Sequence, residues 1–253
     1  MFTTLLSSIF GVTIPIAFNY TIAVIILYLP DNYGLPSPAR ASPYIIGGSD
    51  AIPHSIPWQV ISLPSSRDRL KACGGTLISN RHVLTAAHCE TERLSGIVIV
   101  GAHSIEGAQV ISDGIRHGVC KIEIHPNYNE GTREYDIAIL HLKEPVELNF
   151  NVAPACLPDE RFSWNETGKK MTVSGWGLLK YGRDERGNWN DNPYNMLPRK
   201  LQKLEVPGIN IEKCRKMYAA YPDRKHNIAE NMICAGDRKN GKISACQGDS
   251  GGL

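Results

Sequence analysis

Short apolar stretches recur along the chain from Trp58 onward: WQVISL, GIVIVGA, CKIEI, DIAILHL and KMTVSGWG. They are rich in Val and Ile and are separated by clusters of Gly, Pro and Asn. That punctuation predicts short strands and an all-β sandwich or barrel. One stretch breaks the pattern. Residues 210–220, NIEKCRKMYAA, predict a short helix with Asn210 as its cap. Residues 180–198 are polar without periodicity and predict a long loop, and no internal repeat is visible.

The N-terminus is different in kind. Residues 1–30 contain no Asp, Glu, Lys, Arg or His and include the run IAVIILYL. About 20 apolar residues suffice to cross a bilayer as a helix. The segment is read as a secretory signal, with an uncleaved signal anchor as the other reading; both place the rest of the chain in an exported compartment. Residues 31–44, rich in Pro and Ser, predict an exposed propeptide or linker. The remaining unit is 45–253.

Composition narrows the choice. With 27 basic and 25 acidic residues the net charge is +2, which gives no basic face for nucleic acid. Export permits disulfides, and the count of seven cysteines (Cys73, Cys89, Cys120, Cys156, Cys214, Cys234 and Cys246) is odd. No CxxC or HExxH occurs, so neither zinc nor another metal or cofactor is expected. The sequon at Asn165 predicts a glycosylated surface loop.

Three motifs carry chemistry. LTAAHC holds His88, EYDIAILHL holds Asp136 at the head of an apolar run, and CQGDSGG holds Ser250 in a glycine-rich turn. A serine hydroxyl is a poor nucleophile until a base takes its proton. Histidine can be that base near neutral pH, and a carboxylate can hold the imidazole tautomer. Glycines beside Ser250 let backbone N–H groups face a developing oxyanion. Any one of these motifs has an ordinary structural explanation; their joint occurrence in this order decides for catalysis. His54, His82, His103, His117, His125, His141 and His226 are read as surface or packing residues.

IIGG, TAAHC, DIAIL, GWG and CQGDSGG, in that order, resemble the trypsin-like, chymotrypsin-family serine peptidases from Ile45 to Leu253. The resemblance implies two antiparallel six-stranded β-barrels with the active site between them. It implies His88 as general base, Asp136 as its orienting carboxylate and Ser250 as nucleophile. The N–H groups of Gly248 and Ser250 would form the oxyanion hole. Asp249 would pair with the new α-amino group of Ile45 after activation cleavage, and Cys73–Cys89 and Cys214–Cys234 would be disulfides. The partners implied are protein or peptide substrates and protein inhibitors, with the membrane only if residues 1–30 stay attached.

The departures from the family also carry expectations. The chain stops at Leu253, three residues after Ser250. The family has further strands there and the half-cystine that would pair with Cys246. The sequence is therefore read as incomplete, with the second barrel unfinished and the fragment inactive by itself. Met171 stands where many relatives have a cysteine, and Ala102 where calcium-binding relatives have a glutamate, so no calcium site is expected. Cys156 matches a position that often bonds to a propeptide cysteine, yet residues 1–44 contain none. Pairing of Cys156 with Cys120 is the remaining option.

Ser244 corresponds to the base of the specificity pocket, where a trypsin has Asp. A neutral residue there predicts cleavage after large hydrophobic or aromatic side chains, which fits Tyr44 as the residue before Ile45; a narrower pocket for small residues, and a tryptic cut after Arg40 followed by trimming to Ile45, are the other readings. The alternative function is a truncated or inactive homologue acting as a binding protein, although no triad residue is lost.

Overall fold

The strands anticipated from the apolar stretches close on themselves. The computed structural model describes residues 48–64, 72–90, 96–106, 110–111, 113–158, 168–177, 197–219, 228–236 and 248–252. Strand β1 (Ser49–Asp50) joins the sheet of the second half, and strands β2 (Gln59–Pro64), β3 (Cys73–Ser79), β4 (His82–Thr85), β5 (Gly96–Val100), β6 (Ile105–Glu106), β7 (Val110–Ile111), β8 (Ile115–Ile124) and β9 (Ala138–Leu142) make up the first half. Strands β10 (Lys170–Gly175), β11 (Gln202–Ile209) and β12 (Cys234–Ala235), with helix α1 (Ile211–Ala219) between the last two, make up the second. The first half is a closed antiparallel barrel in the order β2-β3-β4-β9-β8-β5. Among the described residues the second is a four-stranded sheet, β1-β11-β10, with β12 also on β11. The signal, linker and sequon segments, Arg67 to Arg69, most of the 180–198 loop and His226 lie outside the described residues.

Side-chain alternation explains the barrel. On β9 Ala138, Leu140 and Leu142 are buried while Ile139 and His141 are half-buried. Leu140 and Leu142 meet Val60, Leu77, Val83, Val98 and Val100 in one core. Strands β2 and β5 are buried on both faces for a different reason. Their outward residues Ile61, Leu63 and Ile99 form a second cluster with Ala51, Trp176 and Leu201 of the other half. A strand buried on both faces reads as a continuous apolar run, which accounts for GIVIV and QVISL. The second sheet alternates more openly: Gln202, Leu204, Val206 and Gly208 of β11 face inward, and Lys203 and Glu205 do not.

Strands β3, β4 and β11 are not among the stretches that the apolar pattern picks out. β3 opens Cys-Gly-Gly, and glycine lowers strand propensity. Here it is required: a Cβ on Gly75 would stand 2.8 Å from Val83 Cγ1 on the neighbouring strand. The helix forms as expected. Asn210 Oδ1 accepts the N–H of Glu212 at 3.0 Å and of Lys213 at 3.2 Å, which satisfies two orphan donors of the first turn.

Both expected disulfides form. Cys73–Cys89 ties β3 to the turn after β4, and Cys214–Cys234 ties α1 to β12. The first closes 16 residues, a constraint worth about 3 kcal/mol in the chain-entropy model. A Cys120–Cys156 bridge does not form: both thiols are exposed and free. Cys120 lies on β8 and donates to the His141 carbonyl at 3.4 Å. Cys156 follows Ala155, whose N–H binds the Leu77 carbonyl of β3 at 2.8 Å. In the barrel order β3 and β8 are three strands apart in either direction, so the two cysteines sit on opposite sides of the closed sheet.

Ile99 is 0 % exposed at the junction of the two halves. Ile99→Ala is expected to lower unfolding stability by about 2–5 kcal/mol, measured by urea denaturation. A loss below about 1 kcal/mol would mean that the junction repacks freely.

Candidate active site

Antiparallel pairing of β4 with β9 brings the first two groups together. Thr85 lies opposite Ala138. His88 is three residues beyond Thr85, in the 3-10 turn Ala87–Cys89, and Asp136 is two residues before Ala138. The two therefore leave the same end of the barrel side by side. His88 Nδ1 donates to Asp136 Oδ2 at 2.7 Å, and the His88 backbone N–H donates to Oδ1 at 2.8 Å. One residue thus binds both oxygens of one carboxylate and fixes its plane. With the proton on Nδ1, the neutral ring presents Nε2 as an acceptor.

Burial by itself raises the pKa of Asp136, whose side chain is 12 % exposed, but the two hydrogen bonds from His88 and the nearby charges of His88 and Arg133 outweigh it. The net effect holds the carboxyl below its ordinary value, so Asp136 is an anion at neutral pH.

Backbone strain lies just upstream. Arg133 and Tyr135 have φ of 59° and 55°, in the left-handed region where each such non-glycine residue costs about 1–3 kcal/mol. The loop offsets this with local bonds. Asn129 Oδ1 accepts the N–H of Gly131 and Thr132, Arg133 N–H donates to the Asn129 carbonyl at 2.7 Å, and Arg133 Nη1 donates to the Tyr128 hydroxyl at 2.7 Å. Ile137 N–H then donates to the Tyr135 carbonyl at 2.8 Å, a γ-turn with Asp136 at its centre.

Ser250 arrives from the other half. Gly252 N–H donates to the Asp249 carbonyl at 3.0 Å, closing a four-residue turn with Ser250 at its second position. The third position, Gly251, has φ +76°, which a side chain would strain. The turn is docked on the first barrel through backbone: Gly74 N–H donates to the Ser250 carbonyl at 2.7 Å, and Cys89 Sγ lies 3.8 Å from the same oxygen. Thr85 Oγ1 donates to the Gly74 carbonyl at 2.8 Å and braces the docking strand. The approach is too close for side chains. A Cβ on Gly74 would stand 2.5 Å from the backbone of Gly252, and one on Gly251 would overlap Thr85, Gly74 and Ala86. Ser250 is thereby held against the residues that lead into His88.

Asp249 points the other way. It is 5 % exposed, and its Oδ1 accepts the Gly177 N–H at 2.8 Å. A Cβ on Gly175 or Gly177 would overlap this carboxylate, so the GWG motif is the seat of the Asp249 side chain. Gly248, with φ +100°, packs on Gly177.

Of the residues singled out in the sequence, His88 and Asp136 are in direct contact, Asp249 and Ser250 share the turn docked on the same barrel, and Gly248 immediately precedes it. Ile45, Ser244, Cys246 and Asn165 lie outside the described residues. The reading of motifs overlooked Gly74, Thr85, Gly177 and Tyr135. Only the double glycine after Cys73 and the glycines of GWG gave a sign of close backbone approach. Cys73, His88 and Cys89 cluster closely enough to suggest a metal centre, but the two sulfurs are bonded to each other and offer no thiolate.

A family profile described as trypsin matches residues 45–252. The chain is 36 % identical over 217 residues to the clotting factor G beta subunit of Tachypleus tridentatus, covering 82 % of this chain and 64 % of that protein, less than two thirds of its length. It is 37 % identical over 212 residues to chymotrypsin-C of Bos taurus, covering 82 % of this chain and 70 % of that one. Among solved structures it is similar to neuropsin, described as a serine protease expressed in the limbic system of mouse brain. The TM-score is 0.62 at 31 % identity, covering 81 % of this chain and 79 % of that one.

A carboxyl held below its ordinary value in the folded chain stabilises the fold above the unfolded-state pKa, and the contribution is lost as pH falls through the lower folded value. Urea denaturation of the wild type and Asp136→Asn is expected to show the largest gap between them near neutral pH. The gap should close as acidification carries the pH below the ordinary aspartate range. A gap that is constant from pH 7 to pH 2 would contradict the charge-assisted bond.

Proposed function

The chain belongs to the trypsin family of serine peptidases, and on that premise we propose that it is an endopeptidase that cleaves peptide bonds through an acyl-enzyme on Ser250. The observation that carries this reading is the pair of bonds from His88 to Asp136, which sets the imidazole tautomer. In this reading Nε2 of His88 takes the Ser250 proton as Oγ attacks the substrate carbonyl, and returns it to the leaving amine. Asp136 stabilises the imidazolium that forms. The N–H groups of Gly248 and Ser250 receive the developing oxyanion. Water then hydrolyses the acyl-enzyme with His88 again as base. The positive φ of Gly248 and the tight turn at Ser250 are backbone features consistent with this role.

We infer that the protein is made as a zymogen. Cleavage before Ile45 frees an α-ammonium that pairs with Asp249 and orders the Gly248 turn. The burial of Asp249 against Gly175 and Gly177 supports this, because a buried carboxylate favours a cationic partner. The two disulfides point to an oxidising compartment. Export under a cleaved signal is the proposed route, and a membrane anchor is the alternative if residues 1–30 remain.

Ser250→Ala and His88→Ala are each expected to lower kcat/KM on a peptide ester by at least about a thousandfold, without an acyl-enzyme burst. Turnover by either variant near the wild-type rate would exclude the assignment.

For specificity we propose a chymotrypsin-like preference at the residue before the cleaved bond. A substrate cation facing Ser244 would stay unpaired in a partly buried pocket at a cost on the order of several kcal/mol. Burial of a large apolar side chain would instead gain roughly 1.5–3 kcal/mol. Assay of the activated protein on peptides with Tyr, Phe, Leu, Ala or Arg at that position, with N-terminal sequencing of the activated chain, tests both points. Preference for Tyr, Phe or Leu and a new terminus at Ile45 are expected. Preference for Arg would sink the Ser244 argument, and a zymogen left intact by a chymotrypsin-like protease would sink cleavage after Tyr44.

A further inference from the structure

Tyr135 immediately precedes Asp136, has φ of 55°, and is not a residue for which that conformation is easy. Relaxation to an ordinary negative φ would rotate the chain by roughly 120° about the Tyr135 N–Cα bond. That rotation would swing Asp136 away from the two N–H groups of His88. Something must therefore hold Tyr135. Its ring lies flat on the His125 imidazole, with centroids 4.8 Å apart and planes 9° from parallel. The imidazole is itself fixed, because the Asn127 backbone N–H donates to His125 Nδ1 at 3.1 Å. Burial pushes His125 towards its neutral form, in agreement with a ring nitrogen that accepts. The backbone of the same residue completes the arrangement: His125 N–H donates to the Ile137 carbonyl at 3.0 Å, just beyond the γ-turn that contains Asp136. Tyr135 is thus bound on its ring side by His125 and on its carbonyl side by Ile137, with Asp136 between.

We propose that Tyr135, clamped against His125, is a positioning residue for Asp136: the stack holds the left-handed backbone that aims the carboxylate at His88. The inference rests on the catalytic roles proposed for His88, Asp136 and Ser250. Tyr135 acts only through Asp136, so its loss should lower the rate of the chemical step and leave substrate binding alone.

The experiment compares activated wild type with Tyr135→Ala, Tyr135→Phe and His125→Ala, reading kcat and KM on a peptide ester and the downfield proton resonance of His88 Nδ1–H. Tyr135→Ala and His125→Ala are each expected to lower kcat by roughly 10- to 100-fold, as for a misplaced reacting group, with KM within about twofold. The Nδ1–H resonance should move upfield or broaden in both. Tyr135→Phe keeps the ring and should restore kcat to within about threefold of wild type. Normal kcat in either alanine variant overturns the clamp, as does a kcat loss that Tyr135→Phe fails to restore, or a change confined to KM. Having the clamp attacked from both sides keeps it testable if one alanine variant does not fold. Ser250→Ala run alongside separates the two levels: turnover there refutes the catalytic reading itself, whereas an inactive Ser250→Ala beside an unaffected Tyr135→Ala refutes only the clamp.

Discussion

The amide of Gly74 donates to the carbonyl of Ser250 at 2.7 Å, and this bond crosses from a closed barrel to a turn supplied by the other half of the chain. His88 and Asp136 are both placed by the pairing of β4 with β9 within the barrel. Ser250 is not. Its position depends on backbone meeting backbone, which is possible only because Gly74 and Gly251 carry no side chains at the contact. The cluster of Ile61, Leu63, Ile99, Trp176 and Leu201 supplies the apolar burial that keeps the halves in register. Directional bonds at the site are thus held by a non-directional interface behind it.

Two carboxylates in this region are used in opposite ways. Asp136 is partly buried and bound twice by one histidine, so its charge is compensated where it stands. Asp249 is buried among glycines in the second half and accepts the Gly177 N–H. In the proposed mechanism the first carboxylate orients a base and the second answers to an activation event. The adjacent residues Asp249 and Ser250 bind different halves of the molecule, the first through its carboxylate to Gly177 and the second through its carbonyl to Gly74.

Strain is concentrated in the same neighbourhood. Arg133 and Tyr135 both adopt left-handed backbone within three residues of Asp136, and the loop that carries them is tied by Asn129, Tyr128 and His125. A strained conformation persists only where its surroundings over-determine it. His125 lies in the group of histidines that the sequence assigns to surface or packing. The structure keeps it a packing residue, but one packed on the residue next to the carboxylate.

Sequence alone determined the family and the class of fold. His88, Asp136 and Ser250 stood out because reactive residue types recur inside small-residue motifs, and the β character followed from short apolar runs cut by turn formers. The helix cap at Asn210 and the disulfides Cys73–Cys89 and Cys214–Cys234 were legible too, the first from local hydrogen-bond chemistry and the others from resemblance. Tertiary structure decided what depends on distant contacts. Strands β3 and β11 are strands through their neighbours, since neither the glycines of the first nor the charges and Pro207 of the second favour it locally. Cys120 and Cys156 remain apart because barrel closure sets them on opposite walls, which no spacing along the chain reveals. The roles of Gly74, Gly177 and Tyr135 were hidden for the same reason: each acts through a partner that only the folded backbone brings within reach.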